Sequence, residues 1–374
     1  MLFCVPFCVF AADAYCVYEA DSSRLLFAEN EEEKLPMAST TKIMTCILAI
    51  ENSRLDESVT VAADCAGIEG SSMYLKAGET LTMEELLLGL MIVSGNDAAC
   101  AIASHVAGSV EKFCEMMNKK ALEIGAKNTN FTSPNGLPDS NHYTTASDLG
   151  LIACYAMQNE TFRRIVSTGN ADLKADEDSP ARYLRSKNKM LYMYEGGNGI
   201  KTGYTKAAGK CLVAGASRNG MQLVSVVLNE PDMFNVSMAL LDRGFSEYSL
   251  HTVVEKHEEL SGISVSGGTE DSLKLVCAEE ISLPLTENEF NIIDRKVCVP
   301  ESISAPVKEG DAVGSVEIYL NGELIASTDA IASESVFENN FLYRLRRVIK
   351  GWLGERGNFE NSKIFGVGGS SLQT

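Results

Sequence analysis

The chain is short of histidine, of basic residues relative to acidic ones, and of long apolar runs. Its 374 residues include four histidines, His105, His142, His251 and His257. Neither an HExxH nor a CxxC spacing occurs, so nothing indicates a zinc-peptidase helix or a cysteine-based metal site. No metal and no cofactor are expected. Lys and Arg number 32 against 51 Asp and Glu, a net charge of −19. A field of that sign argues against a nucleic-acid partner. No stretch is long and apolar enough for an ordinary transmembrane helix. The eleven cysteines lack regular spacing. Cys46, Cys100 and Cys154 fall in apolar helical runs, where a thiol packs as a small hydrophobe. The cysteines therefore read as mostly reduced core residues, not as a disulfide framework.

The length and a hydrophobic share of 45% allow one large domain and a smaller one. Residues 1–12 are apolar and end in small residues. They read as the remnant of a secretory signal peptide, although no positive segment precedes them; a buried first strand is the alternative. Residues 13–250 form the expected main domain. Within it, Tyr15 to Ala20 and Leu25 to Ala28 read as strands. A mainly helical region covers about 64–160, and strands return from Asn198 onward. Strands at both ends of a helical insert predict an α+β fold, an antiparallel sheet flanked by helices. Residues 251–332 read as a small all-β domain, with a hairpin signal at Asn321-Gly322. Residues 336–353 read as a basic amphipathic helix: Phe341, Leu342, Leu345, Val348, Ile349, Trp352 and Leu353 share one face, with Arg344, Arg346, Arg347 and Lys350 around them. Such a helix suits an anionic membrane surface; docking on the protein itself is the alternative. Residues 354–374 read as a flexible tail.

Chemistry is concentrated in three short motifs. The first is Pro36-Met37-Ala38-Ser39-Thr40-Thr41-Lys42. Pro36 signals a helix start, and Ile43, Met44, Ile47 and Leu48 recur at helical spacing. Ser39 and Lys42 then share a helix face, one turn apart. A serine nucleophile needs a base, and a lysine can serve if burial or a neighbouring cation lowers its pKa. Taken alone the pair is weak, because Ser109–Lys112 and Ser186–Lys189 match it. The second motif, Ser94-Gly95-Asn96, sits at a corner between two helical runs, where polar side chains can converge on a cleft. An ordinary helix cap is the competing reading. The third is Lys201-Thr202-Gly203 in a strand.

Together and in this order the three motifs resemble those of serine acyl-enzymes, the class A β-lactamases and penicillin-binding proteins. Met37–Thr45, Ser94–Ala99 and Gly199–Thr205 resemble more closely the D-alanyl-D-alanine carboxypeptidases, low-molecular-mass penicillin-binding proteins of peptidase family S11. The resemblance runs from about Asp13 to Tyr248, and the trailing β domain and basic helix are similar to that family's C-terminal part. It implies a serine β-lactamase/transpeptidase-like domain, export to the outer face of the cytoplasmic membrane, and a peptidoglycan stem peptide ending in D-Ala-D-Ala as substrate. β-Lactam antibiotics would be covalent inhibitors. It further implies that Ser39 is the nucleophile, Lys42 its base and Ser94 the proton relay. Asn96 would hold Lys42 or the substrate amide. Lys201 would keep Lys42 neutral and, with Thr202, bind the terminal carboxylate. The backbone N–H groups of Ser39 and Tyr204, beside Gly203, would form the oxyanion hole. His142 matches a histidine found before the helix-capping Thr/Ser in many members and is a candidate substrate-binding residue; an ordinary loop residue is the alternative. Lys187 stands where some members carry a carboxylate-binding arginine.

Two alternatives stay open on sequence. A class A β-lactamase shares the motif order but needs a glutamate for deacylation; the corresponding loop, Asn130 to Asn141, has only Asp139. A non-catalytic cell-wall-binding protein of the same fold is the other.

Overall fold

The computed structural model describes residues 12–174, 180–341, 343–345, 348 and 349. The expected leader at residues 1–11, the tail from 354, and residues 342, 346, 347 and 350–353 of the basic segment lie outside them. Two compact units are present. The first runs to His251 and takes in Leu283–Phe290; the second comprises Thr252–Ser282 and the chain from Asn291.

The first unit begins with strands β1 (Ala14–Glu19) and β2 (Arg24–Glu29), followed by helix α1 (Lys42–Asn52) and the short strand β3 (Ser58–Thr60). β3 pairs with β4 (Thr80–Thr82), which leads into α2 (Met83–Ile92) through a capping box of Thr82 and Glu85. Helices α3 (Asn96–Ala107), α4 (Val110–Ile124), α5 (Ala146–Met157) and α6 (Glu160–Val166) follow. A hairpin of β5 (Asn170–Leu173) and β6 (Arg182–Arg185) and the single turn α7 (Met190–Met193) lead to β7 (Gly197–Thr205), β8 (Gly209–Arg218), β9 (Met221–Leu228) and α8 (Met233–Glu247).

The main sheet has the order β2-β1-β9-β8-β7 and is antiparallel throughout. Chain ends and middle meet because β1 pairs with β9. Period-2 alternation explains why the central strands read as continuous apolar runs. In β1, Ala14, Cys16 and Tyr18 enter one core with α1 to α6, while Tyr15 and Val17 enter the other with Leu240 and Leu241 of α8. Both faces are covered, so neither side of these strands can be polar. α1 is buried from Lys42 to Ala49, as a helix in the middle layer must be. α5 lies on the sheet itself: Cys16 Sγ donates to the Ala146 carbonyl, and the Tyr18 and Ser147 hydroxyls are 3.0 Å apart.

The second unit is built almost wholly of short strands. Ala312–Leu320 and Glu323–Ala332 form its longest hairpin, closed by Asn321 and Gly322, both at positive φ. This is the primed turn that the Asn-Gly pair favours. Leu283–Phe290, expected in this β domain, belongs instead to the first unit. Arg24 pairs with Glu289 and donates to the Pro284 carbonyl, and the His251 and Phe290 rings stack at 4.3 Å. Of the basic segment, Phe341, Tyr343, Arg344, Leu345, Val348 and Ile349 are helical and exposed. No helix among the described residues is long and apolar enough to cross a membrane.

One expectation about the cysteines is overturned. Cys100 is not a packed thiol but forms a disulfide with Cys65, their Cα atoms 5.3 Å apart. The pairing is tertiary: the turn at Ala63–Cys65 lies against α3, and neither local sequence announces the other. Cys16, Cys46, Cys114, Cys154, Cys211 and Cys277 are free and buried; Cys298 is free and exposed.

Candidate active site

Three elements converge on Ser39: the turn before α1, the corner between α2 and α3, and the edge strand β7. The turn is a short 3₁₀ helix, Ala38–Thr41, that runs into α1 at Lys42. Ala38 has φ +49°, a conformation that a residue with a Cβ adopts only when its surroundings impose it. They do so through two threonines. Thr40 Oγ1 donates to the Met37 carbonyl at 2.6 Å, and Thr41 Oγ1 to the Ala38 carbonyl at 2.8 Å. Gly136 closes on the same carbonyl: a Cβ there would lie 1.9 Å from Ala38 O. Gly203 of β7 has the matching role on the other side. A Cβ on it would approach Met37 O and Ser39 N to 3.1 Å, so glycine lets the strand edge come up to the nucleophile.

Lys42 is the centre of the site. It is fully buried, with Nζ 3.0 Å from Ser39 Oγ. Nζ donates to Asn96 Oδ1 and to the Asn135 carbonyl, each at 2.7 Å. The Asn96 amide cannot be reversed, because its Nδ2 donates to the Glu69 carbonyl at 2.6 Å. Neutral Lys42 has two N–H donors and one lone pair. With both donors committed to fixed acceptors, the lone pair is left for the Ser39 hydroxyl. The electrostatics favour that form. Burial, then the positive charge of Lys201, hold Lys42 well below the ordinary lysine range, with Asp97 opposing. Lys201 is itself brought down to about 7 by burial; its Nζ donates to the Thr202 carbonyl.

The corner between α2 and α3 is made by a left-handed residue, Ser94 at φ +63°, followed by Gly95. It turns the Ser94 hydroxyl toward the cleft, where Oγ is buried without a hydrogen-bond partner among the described residues. Asp97 then organises the facing loop, accepting from Ser72 Oγ and from the Met73 and Leu75 N–H groups.

Two clefts meet at Ser39. One, of about 480 Å³, is walled by β7, Ser94 and the loop 186–188; the other, of about 560 Å³, by Gly70–Ser72, Tyr74, Asn96 and Asn135–Leu137. Lys201, Thr202, Gly203 and Tyr204 line the first, and Tyr204 extends into the second. Among the described residues, neither cleft has an acidic residue in its lining, and none stands where a β-lactamase needs its deacylating glutamate. The duplicate motifs do not reproduce the Ser39–Lys42 pair, although Ser186 stands in the wall of the first cleft. Ser109 caps α4 through the Lys112 N–H, and Ser186 accepts from the Asn188 N–H.

His142 departs from its expected role. It is 3% exposed and lines neither cleft at Ser39. Its Nδ1 accepts from the Thr132 N–H, so the proton of the neutral ring sits on Nε2, 2.8 Å from Thr41 Oγ1. The relay His142 to Thr41 to the Ala38 carbonyl braces the nucleophile's turn, and the ring borders a separate cleft with Met37, Ala38 and Thr205. Burial lowers its pKa to about 4, with Asp139 opposing. The unfolded chain therefore binds a proton below about pH 6.5 that the folded chain refuses, and stability falls as pH drops from there toward 4. His142→Gln should flatten that slope in urea unfolding series, by on the order of 2–3 kcal/mol across the window. An unchanged slope would place the imidazole in solvent.

Asn135 was not singled out by sequence reasoning because it acts through its backbone carbonyl.

Comparison with known proteins agrees with this geometry. The family model for D-alanyl-D-alanine carboxypeptidases matches residues 6–232, and that for the penicillin-binding protein 5 C-terminal domain matches residues 248–338. The D-alanyl-D-alanine carboxypeptidase DacF of Bacillus subtilis is 32% identical over 350 residues, covering 91% of this chain and 90% of that protein. DacC of Escherichia coli is 32% identical over 361 residues, covering 89% and 86%. Penicillin-binding protein 5 from Haemophilus influenzae superposes with a TM-score of 0.75 at 29% identity, over 88% of this chain and 98% of that one.

Proposed function

The chain belongs to the D-alanyl-D-alanine carboxypeptidase family of penicillin-binding serine peptidases, and from that premise we propose that Ser39, Lys42 and Ser94 carry out the hydrolysis of the terminal D-alanine from peptidoglycan stem peptides. The observation that carries the assignment is the pinning of Lys42 by Asn96 Oδ1 and Asn135 O, which leaves its lone pair facing Ser39 Oγ.

In the first half-reaction Ser39 Oγ attacks the carbonyl carbon of the penultimate D-alanine, and its proton passes to Lys42 Nζ. The N–H groups of Ser39 and Tyr204 receive the negative charge that develops on the carbonyl oxygen. Ser94 Oγ hands its proton to the departing amine nitrogen and takes the proton held by Lys42 Nζ in exchange, so free D-alanine leaves and Lys42 is neutral again. Lys201 and Thr202 hold its carboxylate. In the second half-reaction water gives a proton to neutral Lys42 Nζ as it attacks the ester, Lys42 passes that proton to the departing Ser39 Oγ, and the shortened stem peptide is released. A β-lactam enters the same sequence at the first step and stays as the ester.

The reading extends to where the enzyme works. Helical Phe341, Leu345, Val348 and Ile349 expose apolar side chains beside Arg344. This supports the segment 336–353 as an anchor on an anionic membrane surface, outside the cytoplasm where the substrate is.

Incubation with a pentapeptide ending in D-Ala-D-Ala should release one equivalent of D-alanine per peptide. Penicillin should label the protein covalently and be turned over slowly. Rapid β-lactam turnover without D-alanine release would refute the assignment. Removal of residues 336–374 should abolish sedimentation with phosphatidylglycerol vesicles and leave D-alanine release intact; undiminished sedimentation would refute the anchor.

A further inference from the structure

The cleft bounded by β7 and the loop 186–188 has an electrostatic character opposite to that of the chain as a whole. Lys187, Lys201 and Lys210 line it with no carboxylate among the described residues, in a protein of net charge −19. Ile92, Ile200, Met233 and Phe234 give it an apolar wall, suited to a small alkyl group beside an anion. A lysine supplies charge but little direction, because its ammonium is a point charge on a flexible stem. Directed donors must come from elsewhere.

One such donor is present that no motif points to. Asn188 lines the cleft and is 6% exposed. Its loop is held by short-range bonds: Ser186 N–H to the Gly169 carbonyl, Asn188 N–H to Ser186 Oγ, and Met190 N–H to Asn188 Oδ1. The last of these orients the amide. With Oδ1 committed to a backbone donor, the NH₂ group is the other end. That Nδ2 is buried and has no hydrogen-bond partner among the described residues. A buried amide donor left unpaired is costly, and its persistence calls for a reason. In the same cleft, the Ser94 hydroxyl is in the same condition, and it has a reason: its partner is a substrate atom.

We propose that Asn188 Nδ2 is a donor to the terminal carboxylate of the substrate, acting with Thr202 and Lys201 as a specificity-determining residue. Lys187, next to it and exposed, supplies long-range attraction, while the amide supplies direction. This rests on the carboxypeptidase reading, since that reading puts the carboxylate in this cleft. Recognition by charge alone would accept any anion. A fixed amide restricts the position of the carboxylate relative to Ser39, and hence which peptide bond lies over the nucleophile.

The test uses the full chain and two peptides, one ending in D-Ala-D-Ala with its free carboxylate and the other in the corresponding C-terminal amide. Asn188→Asp keeps an acceptor for the Met190 N–H but removes the NH₂ donor; Asn188→Ala removes both. For the free acid, kcat/KM should fall roughly tenfold or more in each variant, mainly through KM. For the amide, kcat/KM should stay within about threefold of wild type, because that substrate offers no carboxylate to lose. The ratio of the two peptides is insensitive to a general loss of folded protein, and thermal unfolding of each variant monitors the loop. An equal fall for both peptides, or no fall for either, overturns the proposal. Failure of the wild-type protein to release D-alanine from the free acid would instead overturn the reading beneath it.

Discussion

Ser39→Ala abolishes covalent labelling by a fluorescent penicillin and lowers D-alanine release by roughly a millionfold, the scale seen when a serine peptidase loses its nucleophile. The effect is expected to be nearly pure chemistry. The Ser39 hydroxyl is linked only to Lys42 Nζ, at 3.0 Å. The turn that carries it is held independently by Thr40, Thr41 and Gly136. Alanine fits that turn without a clash, so thermal unfolding should shift little while the reaction stops. Binding survives, because the carboxylate and amide contacts belong to other residues: the variant should retain affinity for substrate peptide in a non-covalent assay. Labelling that persists in Ser39→Ala would move the nucleophile elsewhere, and Ser94 would be the next residue to test.

The second large effect is that of Lys42. Lys42→Met keeps the length and volume of the side chain but has no lone pair at nitrogen, so Ser39 loses its base. Removal of a general base costs about 10²–10⁴-fold in general; a value near the upper end, about 10⁴, is expected here, because among the described residues the clefts at Ser39 offer no carboxylate or histidine to substitute. Acylation by penicillin should slow as much as peptide hydrolysis, since both begin with the same proton transfer. The pH dependence separates a base from a mere spacer. In the wild type, acylation should fall on the acid side as Lys42 becomes protonated. Lys201→Met removes a positive neighbour that lowers the Lys42 pKa. Its acid limb should therefore move to higher pH, while its plateau falls through weaker carboxylate binding. An unmoved limb in Lys201→Met would assign the low pKa of Lys42 to burial alone. A Lys42→Met enzyme acylated at an undiminished rate would remove lysine from the chemistry.

What was legible in the sequence followed the range of the interaction. Ser39 and Lys42 were legible as a pair because i and i+3 meet on a helix, and the Thr82–Glu85 capping box because its bonds span three residues. The β1 to β9 pairing was foreshadowed by apolar strands at both ends of the main domain. Backbone acceptors were not legible: the Asn135 carbonyl depends on the path of the chain, not on the side chain it bears. His142 shows a subtler loss. The histidine was visible, but its burial was not, and burial converts a candidate substrate ligand into a brace under Ala38. The left-handed Ala38 and Ser94 were equally hidden, because nothing in Ala or Ser asks for that conformation. Cys65 and Cys100 are 35 residues apart, and only the packing of their two segments makes them partners. Leu283–Phe290 was placed with the β domain on composition, and the Arg24–Glu289 pair that holds it to the first unit has no local signature.

The cysteine arrangement carries a consequence for how the protein is made. Among the described residues one pair, Cys65 and Cys100, is oxidised, while Cys16, Cys46, Cys114, Cys154 and Cys211 of the same unit are free. In the native state those five are buried and inert. In the unfolded chain they are all equally available, and an oxidant meeting it can trap any of several wrong pairs. What protects the native pairing is therefore the order of events. If the sheet and helical layer collapse first, the unwanted thiols are sequestered; Cys65 and Cys100 are themselves buried, at 0% and 5% exposure, so their bond must close as their own segments pack. If oxidation comes first, the chain depends on thiol–disulfide exchange to recover. Biogenesis of this enzyme is thus a race between burial and oxidation, and the speed of core closure decides how much of it matures correctly.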